Sequence, residues 1–326
     1  MKRYLALLTL LAAALPFAAC GGRHNPNEKY FLVTANSKLT YWQTAASGLT
    51  RAGTQMGVQT EMVGPENYDP PAEAQAFRDA LAKKPSGILV SPADPALLGP
   101  EIDKAIAQGI PVITMDSDAP SSKRLSFIGT NNYDAGQIGG RVAAKALGGK
   151  GSVLVFTMPS QHNLAERLHA YKEAFADYPG IHIAEIVDMK GDPSIAFDKV
   201  MNMTRDGKSK VDGWICLEAA ACKEVADVLN RNKVTGNIVV AMDTDQDTLD
   251  WIRKGSIVAT IAQKPFTMAF YGVKMLDDLH HYPPASLDRV WARDTFSPVP
   301  VFVDTGTTLI DKNNLDAFVQ AQASNK

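Results

Sequence analysis

The feature that most restricts what this chain can become is an echo within it. Gly87-Ile88-Leu89-Val90 leads through a helical stretch to Val112-Ile113-Thr114-Met115-Asp116. Gly213-Trp214-Ile215-Cys216 leads through another to Val239-Val240-Ala241-Met242-Asp243. Ile88 precedes Asp116 by 28 residues, and Ile215 precedes Asp243 by the same 28. Each copy reads as strand, helix, strand, with an aspartate at the exit. In open parallel sheets the ligand crevice lies outside the carboxyl ends of the strands, where side chains project from a rigid edge. An aspartate in that place also serves as a turn or helix-cap residue, but a matched pair argues for a shared role. The chain reads as two similar α/β lobes, each presenting a carboxylate.

The pattern extends both ways. Strands at 30–35, 58–63, 87–91 and 111–115 alternate with helices at 43–56, 72–83 and 97–108, punctuated by Pro70-Pro71, Pro85, Pro92, Pro95 and Gly109-Ile110-Pro111. After Phe127-Ile128-Gly129-Thr130 it restarts, with strands at 152–156, 181–187, 213–217, 238–242 and 257–262 between helices at 132–147, 164–177, 194–206, 219–231, 246–254 and 267–280. The tail offers extended segments near 295–303, a turn, and a helix at 313–320. Alternation of this kind predicts two doubly wound parallel sheets covered on both faces. A chain of 326 residues is long enough for two cores.

The start of the chain carries an address. Lys2 and Arg3 precede the apolar run Tyr4 to Leu15, and Pro16-Phe17-Ala18-Ala19-Cys20 follows, the plan of a secretory signal. The run is too short for a permanent membrane span. Residues 21–28 read as a polar tether. Removing Lys2 and Arg3 takes the formal charge from −2 to −4, so no basic surface invites nucleic acid. Residues 1–28 are too short and too apolar for a DNA-binding headpiece.

Beyond Cys20 the cysteines are Cys216 and Cys222. An exported compartment permits a disulfide between them, and their six-residue separation leaves closure undecided. His280-His281 ends a predicted helix, and His24, His162, His169 and His182 show no metal-ligand spacing. Gly148-Gly149-Lys150-Gly151 lacks the spacing of a phosphate loop. Neither a metal nor a cofactor is expected.

Tyr41-Trp42-Gln43, Gly109 to Asp116, Ile128-Gly129-Thr130-Asn131-Asn132, Glu166-Arg167, Met242-Asp243 and Ala259-Thr260-Ile261-Ala262-Gln263 follow one another in a telling order. That order resembles the periplasmic sugar-binding proteins of the ribose-binding type, type I solute-binding proteins of ATP-binding-cassette (ABC) transporters. The resemblance covers Lys29 to about Ala292. It implies three hinge crossings, near 130–132, 262–264 and 293–298. These would divide the chain into a first lobe of 29–130 plus 263–294 and a second of 131–262 plus 295–326. Phe17-Ala18-Ala19-Cys20 resembles a bacterial lipobox, which implies lipidation of Cys20.

The resemblance also assigns residues. Tyr41 and Trp42 stand where the family places aromatics against a sugar ring, whose C–H faces suit flat apolar partners. Asp116, Arg167, Asp243 and Gln263 fall on family ligand positions, where charged acceptors and a forked donor bind hydroxyls. Leu39-Thr40 replaces the family's Asn-Pro, which moves a hydroxyl contact to Asn36, Lys38 or Thr40. Ser117 replaces an arginine, and Leu217-Glu218 replaces an Asn-Asp pair. These departures argue against ribose itself and bring Glu218 into the pocket.

The function implied is an exported, membrane-tethered, monomeric binding protein that captures a monosaccharide or related polyol and delivers it to an ABC permease. A binding protein that serves a membrane sensor is the alternative. A carbohydrate-active enzyme using Asp116, Asp243 and Glu218 as acid and base is a remoter one; no catalytic residue is assigned.

Overall fold

The computed structural model describes residues 24–324. Cys20, the signal segment and tether residues 21–23 lie outside the described residues. Strands β1 (Lys29–Val33), β2 (Gln59–Val63), β3 (Gly87–Val90), β4 (Val112–Met115) and β5 (Ser126–Gly129) build the first sheet. Helices α1 (Thr40–Met56), α2 (Pro70–Ala82) and α3 (Pro95–Ala107) connect the first four of these strands. The chain then crosses at residues 130–131 into α4 (Asn132–Ala146) and the second sheet. That sheet holds β6 (Lys150–Thr157), β7 (Gly180–Asp188), β8 (Gly213–Cys216), β9 (Ile238–Met242) and β10 (Ala259–Ala262). Its helices are α5 (His162–Ala176), α6 (Pro193–Thr204), α7 (Ala221–Arg231) and α8 (Gln246–Lys254). At 263–264 the chain returns to the first lobe through α9 (Pro265–His281), which packs on α1.

The tail gives one strand to each sheet, β11 (Phe302–Asp304) and β12 (Thr308–Asp311), before α10 (Leu315–Ser324). The strand orders are β11-β5-β4-β3-β1-β2 and β12-β10-β9-β8-β6-β7. The echoing units β3–β4 and β8–β9 therefore occupy the same places in their sheets. All pairings are parallel except β12 on β10.

Local chemistry explains the elements. β3 and β8 are buried along their whole length, so they read as continuous apolar runs, as strands covered on both faces must. Asp69, Asp94, Asn131 and Asp192 cap α2, α3, α4 and α6 by accepting a first-turn amide, and proline opens α2, α3 and α6. Both features satisfy or remove amides that a helix start leaves without partners. Each lobe has its own apolar core, one around Phe31, Phe77 and Leu89, the other around Phe156, Trp214 and Val240.

The tail departs from expectation. Instead of crossing at 293–298 and leaving 295–326 with the second lobe, the chain keeps β11 on β5 and crosses at 305–307. Long-range partners hold it there. Arg124 grips Asp118 with Nε and Nη2, each at 2.6 Å, and donates Nη1 to the Val301 carbonyl at 3.1 Å. Ser126 Oγ donates to the Pro300 carbonyl at 2.6 Å, and Phe302 stacks on Phe127 at 5.2 Å. Past the hinge the chain runs away from it, so β12 lies antiparallel to β10 where the sequence suggested only a turn.

Cys216 and Cys222 are joined as a disulfide with Cα atoms 5.8 Å apart, a separation such bonds span. Among the described residues no helix is long and apolar enough to cross a membrane.

Candidate functional site

The carboxyl ends of both sheets face one cleft. From the first lobe it is lined by Thr34, Ala35 and Asn36 after β1, by Tyr41 and Trp42 at the start of α1, by Ser91 after β3 and by Asp116 after β4. The second lobe supplies Met158 and Gln161 after β6, Asn163 and Arg167 on α5, Glu218 after β8 and Asp243 after β9. Gln263 enters from the hinge. The helices that open into the cleft, α1 and α5, lack the side-chain caps of α2, α3, α4 and α6, which leaves amide donors at their starts.

The two echoing aspartates match in conformation as well as spacing. Asp116 and Asp243 both have a φ of 66°, the left-handed region that aspartate enters more readily than most residues. The Asp116 amide donates to the Ile128 carbonyl of β5 at 3.1 Å, and the Asp243 amide donates to Ile261 of β10 at 2.9 Å. The turn ends each strand and carries the carboxylate into the cleft.

Their side-chain partners differ. Asp116 accepts from the Tyr41 hydroxyl at 2.7 Å, from Ser91 Oγ at 3.3 Å and, across the cleft, from Asn163 Nδ2 at 3.2 Å. Asp243 accepts from Gln263 Nε2 at 3.0 and 3.3 Å. Burial raises both carboxyls above the ordinary range, while the Arg167 charge and the donors pull them back. Asp243 is pushed up to about 7, with burial the largest cause and the Asp116 charge adding to it.

Arg167 is the one cation among the described residues lining the cleft, and it is 2% exposed. Its Nε donates to Asn132 Oδ1 at 2.9 Å, Nη1 to the Leu217 carbonyl at 2.8 Å and Nη2 to Gln263 Oε1 at 2.6 Å. Three of its five N–H groups are thus used, and the fork is locked before any ligand arrives. Close helix packing sets its position, because a Cβ on Gly136 of α4 would lie 2.5 Å from the Arg167 carbonyl oxygen. Gln263 also accepts from Thr130 Oγ1 at 2.9 Å, so one side chain joins two hinge crossings, Arg167 and Asp243.

Other expected residues divide. Asn36 lines the cleft, but Lys38 is exposed and pairs with Glu66, and Thr40 is exposed at the first position of α1. Neither belongs to the lining, because the turn into α1 points them to solvent. Glu218 lines the cleft, yet its oxygens accept the Ala220 and Ala221 amides at 2.7 and 2.8 Å, so it caps α7. Burial raises its carboxyl. Ser117 is fully buried outside the lining. Tyr41 and Trp42 meet edge to face at 79°, so the two rings cannot lie together against one flat ligand.

Sequence reasoning missed Ser91, Asn163 and Gln161. Ser91 was legible as the residue ending the first echo strand. Asn163 was not, since its contact with Asp116 depends on how the lobes meet.

The lobes also touch at the rim. Gly191, after β7, has a φ of 73°, and a Cβ there would lie 2.2 Å from Tyr68 Cβ of the first lobe. Both the turn and the approach require glycine.

A family model described as a periplasmic binding protein domain matches residues 30–281. The chain belongs to this family. It is 24% identical over 278 residues to the D-apiose import binding protein of Paraburkholderia graminis, an alignment covering 85% of this chain and 88% of that one. The structure of an arabinose binding protein from Geobacillus stearothermophilus is 32% identical with a TM-score of 0.73, over 90% of this chain and 99% of that one. A solute binding protein of Burkholderia graminis, solved with D-arabinose, is 26% identical with a TM-score of 0.80, over 90% and 98%. These relatives are binding proteins rather than enzymes.

Proposed function

We propose that the chain is an exported solute-binding protein that holds a monosaccharide or related polyol between its lobes and delivers it to an ABC permease. The observation that carries this reading is the facing pair of aspartates, set in one cleft with a locked arginine and a tryptophan. Carboxylates accept ligand hydroxyls, the two free N–H groups of Arg167 donate, and Trp42 offers an apolar face. Tyr41 positions Asp116 through its hydroxyl. A buried polar set of this kind favours ligands that satisfy every member and rejects epimers that leave one unpaired.

Binding without turnover fits these side chains. Glu218, needed as a partner in an acid–base reading, spends both oxygens on a helix start. Apiose and arabinose, the sugars of the relatives named above, are pentoses, and they support the substrate class. Ligand contacts on both lobes favour the closed arrangement by their differential affinity. In this reading the chain acts as a monomer tethered through lipid on Cys20, with Asn36, Tyr41, Trp42, Asp116, Arg167, Glu218, Asp243 and Gln263 forming the ligand shell.

The test is a thermal-shift screen of pentoses, hexoses, cyclitols and their amino derivatives, because a ligand that binds the native state raises the melting temperature. The cognate ligand should also contract the radius of gyration in solution scattering. Turnover of the ligand in a product assay would overturn the binding-protein reading. For the tether, Cys20→Ser should release the exported protein from the membrane fraction.

A further inference from the structure

Far from the cleft, at the amino end of β1, four side chains with metal-binding atoms converge. His24, Glu28, Asp277 and His281 each offer one such atom, and all four atoms lie within 4.8 Å of one another. His24 Nδ1 is 3.0 Å from Asp277 Oδ1, which is 3.6 Å from His281 Nε2; that nitrogen is 3.3 Å from Glu28 Oε2. With zinc-to-ligand bonds of about 2.0–2.1 Å, the edges of a tetrahedron measure about 3.3–3.4 Å. The three measured separations bracket that edge.

The donor set suits a borderline divalent cation. Two imidazoles and two carboxylates carry two negative charges when the imidazoles are neutral, which balances one M²⁺ ion. The carboxylates are largely sequestered, with side-chain exposures of 10% for Glu28 and 11% for Asp277. Among the described residues their only basic neighbours in ion pairs are these two histidines.

The surroundings orient the ligands. The Tyr30 hydroxyl donates to Asp277 Oδ1 at 3.0 Å, and the Asn25 amide holds Glu28 Oε1 at 2.9 Å, leaving Oε2 towards His281. Supports of this kind fix ligand direction in metal sites. The pairs His24/Glu28 and Asp277/His281 are each four residues apart, a common spacing that carried no signal in the sequence. The fold joins them across 253 residues.

We infer that His24, Glu28, Asp277 and His281 form a structural site for a divalent transition metal, of which Zn²⁺ fits best, clasping the segment before β1 to the end of α9. The clasp fixes where the chain's leading segment leaves the first lobe. It is independent of the ligand cleft and of lipidation.

The experiment uses the full chain in detergent, without a polyhistidine tag, stripped with chelator and titrated with Zn²⁺ by calorimetry. One equivalent should bind. His281→Ala and Glu28→Gln should each weaken binding at least about tenfold, while the affinity for whichever sugar the screen identifies stays unchanged. Co²⁺ in place of Zn²⁺ should give the visible absorption of a tetrahedral site in the parent chain only, a readout that does not depend on stability. No stoichiometric metal binding, or equal binding by parent and both variants, would overturn the site and leave an imidazole–carboxylate cluster.

Discussion

Asp116 and Asp243 leave their strands with the same φ and with the backbone amide donating a hydrogen bond to a neighbouring strand, yet the two lobes treat them differently. The first lobe surrounds its carboxylate with the Tyr41 hydroxyl and Ser91, and Asn163 reaches it from across the cleft. The second lobe gives its carboxylate the amide of Gln263, which also bonds to hinge residue Thr130 and to Arg167. The duplicated backbone sets where a carboxylate stands. Burial, with the Asp116 charge adding to it, pushes Asp243 up to about 7 against the pull of Arg167 and Gln263. The first lobe offers a held acceptor beside aromatics, whereas the second ties its acceptor to the hinge.

Arg167 tests the second lobe's half of this contrast most severely. Arg167→Ala should weaken ligand binding by about 2–5 kcal/mol, the usual loss when a buried, hydrogen-bonded charge is truncated. Calorimetry would measure it, with circular dichroism to check folding. A parent-like affinity would mean that Arg167 organises the hinge without serving the ligand.

Closure can be attacked at the rim. Gly191→Ala puts a methyl group against Tyr68 and asks alanine to adopt a positive φ, so the closed form should lose about 1–3 kcal/mol. Affinity should fall and ligand-induced contraction in scattering should shrink, with neither carboxylate touched. Tyr68→Gly in the same background removes the Cβ that the new methyl meets and should restore part of the affinity.

On the first lobe, Trp42→Ala should weaken binding by about 1–3 kcal/mol as a buried aromatic anchor. Tyr41→Phe keeps the ring and removes one hydrogen bond, so its effect should be about 0.5–1.5 kcal/mol. The reverse ranking would make the Tyr41 hydroxyl, through its bond to Asp116, a larger contributor than the Trp42 ring. An unchanged affinity with a large loss of stability in Trp42→Ala would make Trp42 a core residue.

The subtlest contrast is in protons. Asp243 has a native pKa of about 7, above the roughly 3.9 of an unfolded aspartate. Between these values the native state binds more protons than the unfolded state. This contribution to stability is therefore fully present below about pH 4 and is lost as pH rises through 7, by up to about 1.4 kcal/mol per unit. In denaturation of ligand-free protein at pH 5 to 8, Asp243→Asn should remove this decline. Asp116→Asn should alter it less, because more donors hold Asp116. Identical pH profiles for the parent and Asp243→Asn would show that Asp243 ionises normally.

Much of the site was legible because its parts sit at strand exits. Asp116 and Asp243 each follow an apolar run, so local pattern places them at a sheet edge, whereas Tyr41, Trp42 and Gln263 were assigned through the family resemblance. Lys38 and Thr40 lie in the same neighbourhood, but a turn of one or two residues decides between cleft and solvent, and periodicity does not resolve that. Glu218 lines the cleft. Its engagement with the α7 amides depends on the backbone after β8, which no spacing rule specifies.

The sequence by itself determined the alternation of strands and helices, the two-lobe plan and the matched aspartates, because periodicity, breakers and turn preferences act over a few residues. Only the tertiary structure decided which sheet takes β11, that Asn163 reaches Asp116, that Gly191 must accommodate Tyr68, and that His24 and Glu28 meet Asp277 and His281. Each of these depends on groups far apart along the chain, such as Arg124 and Val301, 177 residues apart. Such contacts form only after whole elements have packed, when hydrogen bonds and shape select among arrangements that local preference leaves equal.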